Sequence, residues 1–394
     1  ASGRNEAKVK TIFAKYVNNP YFHFLKYDVR EQLLCNTKFH IIIAGAGVIK
    51  SGAHELLREL AEKCEIPVAM TLLGLGSIPS LHDLSLEMLG MHGTVYSNYA
   101  VHNSDLVIGI GMRFDDRITG DTEQFCPNAK VIHIDIDPAE ISKNIHADIP
   151  IVGDVKNVLI ELLKEVSEKT NIDWLNQIKE WKNEYPLQYT KRDDEIRPQH
   201  AIETISNITK GEAVIITDVG QHQMWTAQYY KFNKAGNFCS SGGAGTMGYG
   251  VPGGMGAQVG RPNDIVVSIV GDGGFQMTSQ ELMTIMQYKL PVKTVILNNG
   301  FLGMVRQWQE IFHSKRYSSV DLSMNPNFVK LGEAYGMTSI RIEKPEELES
   351  KLKEHLLSNE PVLIEIVVTK EDNVFPMIPA GKSVNELMGK KGEL

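Results

Sequence analysis

At 394 residues, 42% hydrophobic and 22% charged, the chain exceeds the about 250–300 residues at which a single core stops growing, and it is too apolar for a disordered protein. Its net charge of −8, from 40 basic and 48 acidic residues, comes with no basic run interleaved with aromatics, which excludes a general nucleic-acid binder. No apolar run approaches the roughly 18 residues of a membrane span. The four scattered cysteines (Cys35, Cys64, Cys126, Cys239) contain no C-x-x-C pair, so neither a disulfide framework nor a zinc site is suggested and a reducing cytoplasm fits.

Two α/β units, each a doubly wound parallel sheet, are expected. Residues 1–38 alternate charged and aromatic positions, carry no glycine-rich site and receive no role. The first domain, 39–165, opens with a buried strand His40–Ala44, the turn Gly45-Ala-Gly47 and an amphipathic helix from Ser51 to Lys63 with Leu56, Leu57, Leu60 and Ala61 on one face. Further strands are predicted at Pro67–Leu72, Asp105–Ile110 and Val131–Ile136, alternating with helices as a parallel sheet requires. Residues 166–196, rich in Lys, Glu, Asn and Trp and broken at Glu184-Tyr-Pro186, read as a linker.

The second domain, 197–370, begins with a helix at His200–Ile208 and the strand Ala213–Thr217. Its remaining strands are predicted at Ile265–Val270, Thr294–Leu297, Thr338–Ile342 and Val362–Val368. A tail, 371–394, contains Asn373-Val-Phe-Pro-Met-Ile-Pro379 and is expected to fold over a site or a partner.

Within this domain an apolar strand ends in Gly271-Asp-Gly-Gly274, and the next one ends in Asn298-Asn-Gly300. One helix and one strand separate the two motifs, so both reach the carboxyl edge of a parallel sheet with hard oxygen ligands. The glycines let backbone N–H groups approach phosphate oxygens, and the following helix presents its positive N-terminus. Either motif alone reads as an ordinary Asp-Gly or Asn-Gly turn. Together they suit a divalent cation holding a diphosphate.

Gly271-Asp-Gly273 followed by Asn298-Asn299 resembles the diphosphate-binding signature of thiamine-diphosphate enzymes. Asp218-Val-Gly-Gln-His-Gln-Met-Trp225, Gly242-Gly-Ala-Gly-Thr-Met-Gly-Tyr-Gly-Val-Pro252 and Gly303-Met-Val-Arg-Gln-Trp308 look like those of the acetohydroxyacid (acetolactate) synthases, and the resemblance runs from about residue 39 onward. It implies Asp272 and Asn299 as side-chain ligands of Mg²⁺ and Phe301 as a backbone-carbonyl ligand. Thiamine diphosphate would be held by Val219, Gly220, Gln221, His222, Gly245, Met247, Gly271, Gly273, Gly274, Gly303, Met304 and Val305. Gln221 and His222 would donate to the diphosphate, the Gly245 carbonyl would accept from the cofactor's amino group, and Met247 would be the apolar wedge that bends it. Trp308 and Met304, one turn apart, would line an apolar substrate mouth. Taken singly, Met247 and Trp308 read as core residues.

Gly45, Ala46 and Gly47 are a weak dinucleotide signal, because Gly45, Gly47 and Gly52 depart from G-x-G-x-x-G. Met91-His-Gly93 and Gly111-Met-Arg-Phe-Asp-Asp-Arg117 look like the FAD-binding middle domain of the same synthases. By that resemblance Thr71, Leu72 and His92 flank the isoalloxazine side, Arg113, Asp115 and Ile118 contact flavin or ribityl, and Met91 and Gly111 belong to the same cofactor site. Asp135, Ile136 and Glu140 would lie near the adenosine, and Gly153, Asp154 and Val155 would close the adenine end. Arg117 would hold the carboxylate of the second ketoacid, a task suited to a planar bidentate donor. The plain alternative is that Arg113 and Arg117 pair with the neighbouring aspartates.

The implied reaction decarboxylates pyruvate on thiamine diphosphate and condenses the hydroxyethyl group with pyruvate or 2-ketobutyrate, giving acetolactate or acetohydroxybutyrate for branched-chain amino acid biosynthesis. A homodimer or larger assembly is implied, with room for a small regulatory subunit. Family members also carry a pyrimidine-binding domain whose glutamate activates the cofactor, and this chain starts too late to contain it. That domain is expected from a separate chain, or else the chain is a partial protein. Other readings are another flavin- and thiamine-dependent 2-ketoacid decarboxylase or oxidase, and a non-catalytic cofactor-binding fragment.

Overall fold

The computed structural model describes residues 37–391. Cys35 and the expectations placed on residues 1–36 lie outside them. The described residues form two compact units.

In the first unit β1 (His40–Ala44) leads into α1 (Ala46–Lys50) and α2 (His54–Cys64). There follow β2 (Val68–Met70), β3 (Ser85–Met88), α3 (Val95–His102), β4 (Leu106–Ile110) and the single-turn α4 (Asp116–Thr119). β5 (Lys130–Asp135), β6 (Ile149–Val152) and α5 (Val155–Glu165) complete the alternation. The strands are parallel in the order β3-β2-β1-β4-β5-β6. That order reverses direction between β1 and β4, and ligands of such sheets bind outside the carboxyl ends at this point. The helix expected over Ser51–Lys63 is α2, starting at His54, and the expected turn is followed by a further short helix, α1, which stops before Gly52 at φ +65°.

The stretch expected as a linker contributes α6 (Ile172–Glu184) to the first unit. Trp174 and Ile178, one turn apart, are 3% and 4% exposed and join the core cluster of Ile41, Tyr96 and Val107. Each contributes about 1.5–3 kcal/mol by burial, and the Trp174 indole N–H donates to the His40 carbonyl at 2.9 Å. The breaker at Tyr185-Pro186 does end the helix. The tail divides too: Ile378–Leu387 belongs to the first unit, where Ile378, Val384 and Leu387 pack with Val95, Tyr99 and Tyr185.

The second unit begins with α7 (Pro198–Thr209), β7 (Val214–Thr217), α8 (Gln221–Tyr229) and the short β8 (Phe238–Ser240). α9 (Gly250–Gly260), β9 (Val266–Gly271), α10 (Asp272–Thr278), α11 (Leu282–Gln287) and β10 (Lys293–Asn298) follow. The chain continues through α12 (Gly303–Phe312), α13 (Phe328–Ala334), β11 (Thr338–Ile342), α14 (Pro345–Leu356) and β12 (Val362–Val367). This sheet is parallel as well, ordered β11-β12-β10-β9-β7-β8. Val270, Ile296 and Leu363 pack with Phe275 and Phe328 in its core. Among the described residues no helix is long and apolar enough to cross a membrane.

Candidate active site

In the second unit, each segment named for thiamine diphosphate or its metal follows the carboxyl end of a strand. Val219–His222 follow β7, Gly245 and Met247 follow β8, Gly271–Gly274 follow β9, and Asn299–Val305 follow β10. Val219, Gly220, Gln221, His222 and Met247 line one cavity with Gly271, Asp272, Gly273 and Gly274. Its other wall carries Asn299, Phe301, Gly303, Met304 and Val305, together with Trp225, Leu302 and Val368. The Met247 methyl lies 3.9 Å from where a Cβ on Gly273 would stand, which places the expected wedge over the Gly-Asp-Gly turn. Gly245 is not in the cavity wall. It adopts φ +64° with open space where a Cβ would be, so its turn, not crowding, calls for glycine.

Asp272 is 2% exposed. Its Oδ2 accepts from Gly300 N–H at 3.0 Å and Asn325 Nδ2 at 2.7 Å, and its Oδ1 from Gly273 N–H at 3.1 Å. All three donors are neutral. Burial therefore prevails, and the carboxyl is pushed up to about 6 despite those bonds. A buried carboxylate with neutral partners fits a cation that would supply the missing positive charge. Among the described residues no cluster of three His, Cys, Asp or Glu side chains exists. A site of one Asp, one Asn and one carbonyl needs none. Asn299 Oδ1 accepts from Phe301 N–H at 3.1 Å. The antiparallel bridge at Phe301 is made by Leu302 N–H to the Val320 carbonyl and Leu322 N–H to the Gly300 carbonyl, so it does not use the Phe301 carbonyl.

His222 is buried, one of its ring nitrogens bonds the Asp218 backbone, and burial lowers the imidazole to about 4, leaving it neutral at pH 7. Its Nε2 and the Trp225 Nε1, one turn further along α8, are buried and have no protein partner. Buried polar atoms are ordinarily bonded. Two unpartnered nitrogens on residues of one cavity wall fit a site that completes them with a ligand. Gln221 differs from expectation: its Nε2 donates to Gln307 Oε1 at 2.9 Å and to the Asp372 carbonyl at 2.8 Å. Both donors are thus engaged within the chain, and its Oε1 accepts from Asn299 Nδ2 at 3.3 Å. Gln221 ties a candidate metal ligand to the tail, while Gln307 bonds Val374 N–H at 2.8 Å and Arg306 Nη2 bonds Asn373 Oδ1 at 2.6 Å.

Trp308 lies outside this cavity. It lines a neighbouring surface groove with Val305, Gln309, His313 and Arg316, and its ring meets Phe312 at 5.2 Å. Val305 belongs to both walls, so the groove continues from the cavity along α12.

In the first unit, the residues named for flavin follow all six strand ends: Gly45–Gly47 after β1, Thr71 and Leu72 after β2, Met91 and His92 after β3, Gly111–Asp115 after β4, Asp135 and Ile136 after β5, and Gly153–Val155 after β6. The Gly45 and Gly47 pair has a use of its own. A Cβ at Gly45 would stand 2.2 Å from the Gly111 carbonyl and one at Gly47 2.6 Å from Gly111 Cα, because the turns after β1 and β4 touch at the switch point. Asp154 caps α5 and Asp115 caps α4. Asp135 accepts from Asp137 N–H, Glu140 pairs with Lys143, and Ile118 packs on the core. Ile136, by contrast, is 61% exposed. Arg113 pairs with Asp115 at 3.3 Å and Arg117 with Asp116 at 2.6 Å, both arginine side chains more than half exposed. Such exposed pairs contribute about 0–1 kcal/mol, so either arginine can turn to a ligand. The exposed arginine and isoleucine along this edge suit an anionic ligand with a flat apolar part.

Asp218 and Trp225 begin and end a motif quoted from the sequence but receive no role of their own there, and Asn325, in the loop before α13, is not marked at all.

Two parallel sheets, one with a cavity at its carboxyl edge lined by Asp272 and Asn299, go with the class that the family matches define, the thiamine pyrophosphate enzymes. Residues 31–162 match the family described as "Thiamine pyrophosphate enzyme, central domain" and 218–366 that described as "Thiamine pyrophosphate enzyme, C-terminal TPP binding domain". The chain is 44% identical to the acetolactate synthase isozyme 3 large subunit of Escherichia coli over 92% of its own length and 65% of that protein's. It is 43% identical to the acetolactate synthase large subunit of Buchnera aphidicola subsp. Schlechtendalia chinensis, covering 98% of this chain and 72% of the relative. A probable acetolactate synthase large subunit of Methanocaldococcus jannaschii is 46% identical, over 93% and 63%. The chain belongs to the acetolactate synthase large-subunit family. It spans about two thirds of the length of these curated relatives.

Proposed function

We propose that this chain carries the flavin-binding and thiamine diphosphate-binding parts of an acetohydroxyacid synthase, which joins pyruvate to a second pyruvate or to 2-ketobutyrate with loss of CO₂. The observation that carries this reading is the buried Asp272 carboxylate among neutral donors in a cavity shared with Asn299, Phe301, His222 and Met247. Asp272, Asn299 and the Phe301 carbonyl would hold Mg²⁺, and Val219 and Gly220 lead into the first turn of α8, where backbone N–H groups can meet diphosphate oxygens. Thiamine diphosphate, when bound, supplies a centre that stabilises the acyl carbanion. Met247 would fix its shape, neutral His222 would offer Nε2, and the groove of Val305 and Trp308 would accept the apolar end of the second ketoacid. The six strand ends of the first unit would hold FAD, and Arg117 would bind the carboxylate of the second ketoacid.

Residues 39–165 and 197–370 are proposed as the FAD and thiamine diphosphate domains, and a homodimer with a small regulatory subunit as the assembly. The free thiols Cys64, Cys126 and Cys239 suit the cytoplasm. The test is acetolactate formation from pyruvate with Mg²⁺, thiamine diphosphate and FAD. Product from the chain, alone or with a pyrimidine-binding domain supplied in trans, supports the reading. Absence of product in both arms overturns it.

A further inference from the structure

The carboxylate of Asp272 is held from outside its own motif. Asn325, 53 residues further on, donates from Nδ2 to Asp272 Oδ2 at 2.7 Å. Gly300 N–H shares that oxygen at 3.0 Å, whereas Oδ1 accepts only the longer 3.1 Å bond from the adjacent Gly273 among these contacts. Oδ2 is thus doubly bonded to the protein and Oδ1 keeps lone-pair capacity for a cation.

The direction of the Asn325 amide is fixed by its neighbours. Gln276, one turn after Asp272 on α10, places Nε2 3.1 Å from the Asp272 backbone carbonyl, which can only accept. The same nitrogen lies 2.9 Å from Asn325, so Asn325 must present Oδ1 to it and Nδ2 to the carboxylate. Asn325 Nδ2 also reaches Asn298 Oδ1 at 3.3 Å. Asn298 in turn donates to Glu365 at 2.7 Å, a carboxylate 2% exposed that pairs with Arg341 at 3.3 Å. The chain of contacts therefore runs from a charged anchor on β11 and β12 to the candidate metal ligand on α10.

We propose that Asn325 is a positioning residue for the metal site: oriented by Gln276 and backed by Asn298 and Glu365, it holds Asp272 so that one carboxylate oxygen is saturated by the protein and the other faces the cation. This rests on the thiamine diphosphate reading of the cavity. Partners that orient a ligand in this way set metal affinity by about 10–100-fold. They matter most for Mg²⁺, which demands near-octahedral geometry, and least for Ca²⁺, whose coordination is flexible.

The experiment titrates Mg²⁺, and separately Ca²⁺, into the chain at saturating thiamine diphosphate by calorimetry, with the Tm of the metal-free protein measured alongside. Asn325→Ala is expected to raise the Mg²⁺ Kd about 10–100-fold and the Ca²⁺ Kd less than about threefold, with a metal-free Tm lower by a few degrees because the buried carboxylate loses a donor. Gln276→Ala should shift the Mg²⁺ Kd in the same direction by less, since the Asn325 donor remains. Equal Mg²⁺ Kd in wild type and Asn325→Ala overturns the positioning role alone. So does a parallel loss for both cations, which would mark a merely structural residue. No Mg²⁺-dependent binding of thiamine diphosphate by the wild-type chain, either alone or with a pyrimidine-binding domain supplied in trans, overturns the reading of the site, and this inference with it.

Discussion

The carboxylate of Asp218 accepts a hydrogen bond from the backbone N–H of Gly250 at 2.9 Å, joining the end of β7 to the start of α9. It also accepts from Gly248 at 3.1 Å and from Val219 at 2.7 Å, and it is fully buried. Met247 therefore sits in a loop pinned on its far side by one side chain. Asp218→Ala leaves buried N–H groups unmet at about 1–3 kcal/mol each. With roughly 2–4 °C per kcal/mol for a unit of this size, the metal-free Tm should fall by at least about 5 °C. Scanning calorimetry checks this, and a Tm within a degree of wild type would show that the loop is held by something else.

Asp272 makes the metal-free protein respond to pH in an unusual direction. Its folded carboxyl stands at about 6 against an ordinary 3.8, because burial disfavours the anion. Between those values the folded chain binds a proton that the unfolded chain lacks. The Asp272 contribution therefore lowers stability as pH rises through the window and levels off above it. Two units correspond to about 3 kcal/mol. Asp272→Asn should be the more stable protein at pH 7, with the gap closing towards pH 4, while losing Mg²⁺-dependent cofactor binding. Denaturant unfolding at the two pH values measures the gap. A gap independent of pH would refute the assignment.

Gly303 opens α12 between two side chains of the site. A Cβ there would stand 2.0 Å from Gln221 Oε1 and 2.8 Å from Asn299 Nδ2. Gly303→Ala should displace the Gln221 amide, break its bonds to Gln307 and Asp372, and move Asn299. Because flexible side chains absorb the clash, the expected result is about tenfold weaker Mg²⁺ binding with a Tm change of only a few degrees. Titration of the variant decides, and unchanged affinity would show that the Gln221–Asn299 contact is incidental.

The central strands were legible because they are largely apolar runs buried on both faces: His40–Ala44, Leu106–Ile110 and Val362–Val367 stand within a residue of where their patterns place them. The strands that patterns missed, β3, β6 and β8, all lie at sheet edges. β3 is Ser-Leu-Glu-Met with Glu87 at φ +59°, β6 contains Pro150, and β8 has three residues. Edge strands need no apolar run, so none was there to read. Helix α6 was obscured for another reason: its buried face consists of Trp174 and Ile178 amid charged residues, and composition alone resembles a linker. In the site, residues directly after central strands were legible from spacing. Asn325 was not, since its role arises from a loop contact 53 residues from Asp272. Gln221 was named, but its engagement by Gln307 and Asp372 depends on tertiary contacts that no local pattern encodes.

Arg117, proposed as the anchor of the second ketoacid's carboxylate, has a side chain the fold does not need. That side chain is 63% exposed and that of its ion-pair partner, Asp116, 74%, so the pair adds about 0–1 kcal/mol at most. The backbone at this position is what the fold uses: the Arg117 carbonyl accepts from Met91 N–H at 2.8 Å, and a Cβ at Gly90 would strike it at 2.5 Å. Arg117→Ala keeps that backbone and should leave Tm within about 1 °C. Loss of a bidentate carboxylate contact should raise the KM for the second ketoacid and lower carboligation about tenfold or more, with FAD retention nearly unchanged. Steady-state carboligation assays and flavin absorbance on the same preparation measure the two effects. Equal losses of both would place Arg117 on the flavin and not on the substrate.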